Sequence, residues 1–170
     1  MTPQSLHKKL SERIHEHDIM EILFYAQEQN NVSKALLGAI YDTDVKVARN
    51  ALWVLTWEQI DKFISERNKF VDIALRTQDA TIRRLCLTLL ERMPWEESDV
   101  RVDLLDFCIE RIVSAIEKPG IRSLAIKLAY SQCRYYPELL SELKMVLDDI
   151  NQQALPPAVV CARRNILKKF

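Results

Sequence analysis

One pattern recurs along this 170-residue chain and limits what it can become. Asp42-Thr43-Asp44 leads into Val45-Lys46-Val47-Ala48-Arg49-Asn50-Ala51-Leu52-Trp53-Val54-Leu55, in which Val47, Ala51, Val54 and Leu55 share one side of a 3.6-residue helix. The same layout returns at Asp79–Leu90, where Ile82 and Cys86 stand for Val47 and Ala51, and at Pro119–Ala129, where Ile121 and Ala125 take those places. The offsets are 35 and 39 residues. A large apolar residue followed four positions later by a small one suits a helix that packs closely on a neighbour at each side. A period of this length in self-similar helices is the mark of a helical solenoid, in which one helix pair buries its apolar face only by stacking on the next.

The remainder of the chain is helical in pattern as well. Leu6, Leu10 and Ile14 predict a helix over 4–16, and Ile19, Ile22, Leu23 and Ala26 one over 18–30 with Asp18 at its start. Shorter and longer helices follow over 32–41, 57–76, 99–117, 120–132, 137–151 and 158–169, with Pro94, Pro119, Pro137 and Pro156-Pro157 as punctuation. No stretch alternates with period 2 between glycine turns, and the sequence holds only 2 glycines. The expected fold is therefore all-α: a right-handed α-solenoid of five helix pairs over 4–30, 32–56, 57–93, 97–132 and 137–169, forming a single domain over 1–170. Val159, Ala162 and Ile166 continue the pattern less strictly, with Arg163 where a small residue is expected, as suits a capping repeat. Ala51, Cys86 and Ala125 are expected at buried helix contacts.

The turn Asp42-Thr43-Asp44, the Val-x-x-x-Ala spacing and the mid-helix Arg49 and Arg84 resemble the second helix of HEAT and armadillo repeats. Ala51-Leu52-Trp53-Val54-Leu55 together with Ala162-Arg163-Arg164-Asn165-Ile166-Leu167-Lys168-Lys169 is similar to a group of short helical-repeat proteins, some of which carry an adenylosuccinate lyase label. That lyase needs a Gly/Ser-rich loop bearing a catalytic serine, with histidines set against the substrate. Here no such loop exists, and His7, His15 and His17 all precede residue 18. The resemblance implies a non-enzymatic binding scaffold whose second helices line a concave surface.

Other chemistry finds no footing. Gly-x-Ser-x-Gly, Walker, His-Glu-x-x-His and dinucleotide motifs are missing from the sequence. His15 and His17, two apart on one helix, would point to opposite sides. Asp99, Asp103, Asp106 and Glu110 share a face but read as a solvated one. Cys86, Cys108, Cys133 and Cys161 form no Cys-x-x-Cys pair and sit in apolar runs, as reduced core thiols do. No cofactor or metal is expected. The N-terminus has no apolar signal-like stretch and no run approaches a membrane span, so a cytoplasmic protein is expected.

Net charge is zero, with 24 basic and 24 acidic residues, yet it is sorted by helix. The second helices (43–56, 79–93, 119–132, 156–169) carry 11 Lys/Arg against 3 Asp/Glu, and the long first helices (57–76, 97–117, 137–152) carry 7 against 14. On a helical wheel Lys46, Arg49 and Trp53 lie about 200–260° from Val47, opposite the buried side. Carrying the offsets forward gives an outward ridge of Lys46, Arg49, Trp53, Arg84, Thr88 and Lys127, extended by Arg163 or Arg164. A tryptophan among arginines has the composition of an interface hot spot. The expected partner is a protein with an acidic segment. Nucleic acid on the same face, as in the HEAT-like DNA glycosylases, is the alternative.

Overall fold

The computed structural model describes residues 1–152 and 154–170. Among these residues ten α-helices follow one another: α1 (Pro3–Ser11), α2 (Glu16–Glu28), α3 (Asn30–Ala39), α4 (Val45–Leu55), α5 (Arg67–Arg76), α6 (Ala80–Arg92), α7 (Val102–Val113), α8 (Pro119–Cys133), α9 (Pro137–Asp149) and α10 (Pro157–Leu167). No strand occurs among the described residues.

Local chemistry sets many of the helix starts. Thr2 and Ser5 form a reciprocal capping box on α1, each hydroxyl accepting the other's backbone N–H. The Asp44 carboxylate accepts from Lys46 N–H at 2.8 Å to open α4, and that of Asp79 accepts from Thr81 and Ile82 to open α6. Helices α8, α9 and α10 begin instead with Pro119, Pro137 and Pro157, whose missing N–H has no intrahelical partner in the first turn anyway. Gly120 is thus helical rather than part of a turn.

Packing sorts these helices into two rows. Helices α4, α6, α8 and α10 stack in that order, while α5, α7 and α9 form the neighbouring row. Helix α5 pairs with α6 and α7 with α8; α10 leans chiefly on α8. The repeat register places Val47, Ala51, Cys86, Ala125 and Val159 at 0 % exposure, with Ile121 at 1 % and Ala162 at 3 %. Small residues at these points let successive second helices approach closely, and a continuous apolar core runs the length of the stack.

The structure alters several boundaries. The helix expected over 57–76 is a 3₁₀ segment, Ile60–Glu66, followed by α5. Phe63 is the single buried residue of that segment, too little apolar face to hold a separate α-turn against the core. The helix expected over 99–117 is confined to 102–113. The Arg101 N–H is drawn to the Gln132 side chain instead, and Ile116, 97 % exposed, lies beyond the helix. Helix α1 stops at Ser11, where the Asn50 amide takes the carbonyls of Leu10 and Glu12. The expected pair over 4–30 is different too: α1 and α2 pack chiefly on α3 and α4 and are joined to each other through Lys9, which pairs with Asp18 and Glu21. His15 precedes α2, and its ring stacks on that of His17 at 5.9 Å, not opposite it. Cys86, Cys108 and Cys133 are buried, but Cys161 is exposed on the outer side of α10. Burial pushes the Cys86 thiol up to about 12 and that of Cys133 to about 11, which keeps both protonated and unreactive.

A device that the sequence pattern does not announce closes the last three pairs. Arg83 donates to the carbonyls of Ala74 and Thr77 at the end of α5. Arg122 donates to Ile112 at the end of α7 at 2.8 Å, and Arg163 to Leu147 at the end of α9. The last carbonyls of a helix have no intrahelical donor. A guanidinium reaching back from the second helix satisfies them and meets the negative end of the helix dipole. Phe107 adds to the first of these contacts, since the guanidinia of Arg83 and Arg111 lie over its ring at 5.6 and 4.9 Å.

Two outcomes follow from this packing. Cys86→Leu overfills the α4–α6–α8 seam and is expected to cost about 1–3 kcal/mol in urea denaturation; unchanged stability would mean the helices are not in close contact there. Arg122→Met strips a buried cap and is expected to cost about 1–3 kcal/mol, with faster amide hydrogen exchange in the last turn of α7 than in α6.

Candidate functional site

The second-helix row carries the residues of the expected ridge, and it divides them by what they touch. Arg49 forks onto Asp79, its Nε 3.2 Å from Oδ1 and its Nη2 paired with Oδ2. It thereby ties α4 to the start of α6. Lys127 stands 3.5 Å from Glu91, linking α8 to α6. Thr88 donates its hydroxyl to the Arg84 carbonyl one turn back. Arg163 is spent on the end of α9 and on Asp148. Trp53 is half-buried and packs its indole on the core.

Lys46, Arg84 and Arg164 are exposed, and with Lys168 they make no ion pair among the described residues. Arg84 reaches toward the start of α8, where a Cβ added at Gly120 would stand 3.7 Å from its Cδ.

Where α6, α8 and α10 meet, the row opens into a groove of about 240 Å³ lined by Glu91, Lys127, Tyr130, Ser131, Asn165 and Lys169, with Ala162 and Ile166 at its base. The Lys169 ammonium lies 5.1 Å above the Tyr130 ring, and Phe170 meets the same ring edge-on at 6.0 Å. An aromatic face, a hydroxyl, an amide and two ammonium groups converge there. Lys127 joins this groove to the ridge. Sequence reasoning missed Tyr130, Ser131, Asn165 and Lys169, although Tyr130 and Ser131 stand three and four residues after Lys127, on the same helix face.

Of the four acidic residues expected on one solvated face, Asp103, Asp106 and Glu110 are exposed on α7, and Asp99 falls outside that helix. Asp99 lies before α7 and pairs with Arg67, and Asp103 pairs with Arg101. Among the described residues no group of three or more His, Cys, Asp or Glu is arranged to hold a metal ion. No helix is long and apolar enough to cross a membrane.

The Arg49 fork and two backbone N–H groups hold the Asp79 carboxyl below its ordinary value of 3.8. A carboxyl whose folded pKa is depressed stabilises the fold above its unfolded pKa and loses that contribution as pH falls through the folded value. Asp79→Ala removes the α6 cap and is expected to cost about 0.5–2 kcal/mol at neutral pH. The gap between wild type and variant should hold steady from pH 8 to about 5 and narrow as acid titrates the wild-type carboxyl near and below its ordinary pKa. Paired urea titrations across that range measure it.

No curated protein and no solved structure matches the chain. A family model described as a HEAT repeat domain matches residues 6–170, nearly the whole length. Two rows of stacked helices in register with a 35–39-residue repeat agree with that match, and the chain belongs to the HEAT repeat family.

Proposed function

We propose that this protein is a non-enzymatic scaffold that grips an acidic segment of a partner protein along its second-helix row, on the concave side of the stack. The observation that carries this reading is the set of unpaired cations. Of the eleven Lys and Arg on the second helices, Arg49, Arg83, Arg92, Arg122, Lys127, Arg163 and Lys169 are engaged within the fold. Lys46, Arg84, Arg164 and Lys168 are left facing solvent. They are spread over α4, α6 and α10 and are separated by helix spacings of about 8–10 Å, which suits carboxylates distributed along a segment rather than one compact anion.

The Tyr130 groove supplies the apolar and hydrogen-bonding complement. A side chain of the bound segment fits against the ring while its backbone meets Asn165 and Ser131. Trp53 supports the row from beneath. Trp53→Ala should therefore lower stability, by about 1–3 kcal/mol for a half-buried aromatic, as well as weaken binding.

The test uses a fluorescein-labelled peptide rich in Glu and Asp with interspersed Leu and Tyr, titrated with the protein beside a labelled DNA duplex of equal charge. The peptide is expected to bind. Arg84→Glu combined with Arg164→Glu should weaken it by at least about tenfold with no change in melting temperature. If the duplex binds instead, with the steep salt dependence of counterion release, the row is a nucleic-acid surface. If the double variant binds the peptide as wild type does, the row is scaffold alone.

A further inference from the structure

The opposite row carries a surface of the other sign. Between α7 and α9 lies a groove of about 410 Å³ whose floor is Leu105, Ile109, Leu139, Leu143 and Val146. Its rim holds Asp106, Glu110 and Glu142. On α7, Val102, Leu105, Asp106, Ile109 and Val113 fall within about 100° of arc, so the apolar floor continues past the groove at both ends. Val102 is 70 % exposed and Val113 47 %. On α9, Leu139, Glu142, Leu143 and Val146 again span about 100°, with Met145 exposed beside them at 66 %.

Exposed valines at the ends of an apolar groove, and an exposed methionine beside it, are not explained by the packing of this chain. The charges beside them are equally unspent. Glu110 is 3.5 Å from Arg111, but Asp106, Glu138, Glu142 and Asp149, all exposed, make no ion pair among the described residues. Lysine is scarce there: Lys144 is the one basic residue of α9.

We propose that the α7–α9 groove is a second docking surface and that it takes an amphipathic helix of another protein, apolar along one stripe and flanked by lysine or arginine. A helix laid between two helices sets its side chains into the gap as a third packing partner. Its apolar stripe covers Leu105, Ile109, Leu139 and Val146, and its flanking cations meet carboxylates on both rims. Rim charges of one sign select the partner's charge and steer its approach more than they tighten the complex. The scaffold then holds an acidic segment on one row and a basic helix on the other, which is a reason for a chain of zero net charge to keep its charges sorted.

The probe is a labelled helical peptide of roughly 18 residues, with Leu at the a and d positions of each heptad and Lys on both flanks. Its counterpart replaces every Lys by Glu. The Lys peptide is expected to bind by fluorescence anisotropy, more weakly at higher salt, while the Glu peptide stays unbound in this groove. Asp106→Lys with Glu142→Lys should reduce the Lys peptide's affinity by at least about tenfold without moving the melting temperature, both residues being exposed. The Arg84→Glu, Arg164→Glu variant should bind it as wild type does, which separates this surface from the second-helix row. The proposal is overturned if the Lys peptide fails to bind, or if it binds the Asp106/Glu142 variant equally. It is also overturned if sedimentation velocity shows that the chain alone dimerises and that the same variant is monomeric, for then a second copy is the occupant.

Discussion

Everything in this molecule hangs on the close approach of α4, α6, α8 and α10. None of the four helices buries its apolar side alone, and among the described residues no disulfide joins them. Ala51, Cys86, Ala125 and Ala162 keep the contact points small, and the larger residues Leu55, Leu89, Leu90 and Ile126 are fully buried. Because the contact is repeated rather than central, each helix pair depends on its neighbours and little on distant parts of the chain. The end of the stack shows the consequence. Helix α10 has a neighbour on one side and turns Val160, Cys161 and Arg164 to solvent on the other.

The guanidinium caps convert that stack from apolar adhesion to fixed geometry. Dispersion and burial are tolerant of small slides; a charge-assisted hydrogen bond to the last carbonyl of a particular helix is not. Arg83, Arg122 and Arg163 each set the height of a second helix against the end of its first helix. Further along, Arg92 does the same between α6 and the residues after α4, and Arg134 between α8 and Trp95. The Trp95 indole, itself hydrogen-bonded to Leu90 and lying under Arg67, anchors the loop between the second and first rows. Much of the basic charge on the second helices is thus architectural, and the surface available to a partner is the small remainder.

That remainder gives the electrical asymmetry its meaning. Charges that neutralise one another inside the fold say nothing about partners, whereas those left at the surface set which approach is favoured. Lys46, Arg84, Arg164 and Lys168 remain on one row, and Asp106, Glu138, Glu142 and Asp149 on the other. Two surfaces of opposite sign on one small stack are what a bridging scaffold requires.

The sequence alone determined the helical class, the order of the helices and the buried register of the second helices, though not every helix boundary. Those properties follow from the 3.6-residue spacing of apolar side chains and from aspartate and proline at helix starts, and both are local. Val47–Ala51, Ile82–Cys86 and Ile121–Ala125 could be placed in the core from spacing alone because any stack of these helices must bury that side. The tertiary structure decided which charges were free. Arg83 and Arg84 are adjacent and chemically identical in the sequence, yet Arg83 caps α5 while Arg84 faces solvent. It likewise decided that Trp53 leans on the core, that Tyr130 meets Lys169 and Phe170, and that α1 packs chiefly on α3 and α4. Each of these depends on which carbonyl, ring or helix from elsewhere in the chain lies within a few ångströms, and helical periodicity fixes the direction of a side chain but not what it meets there.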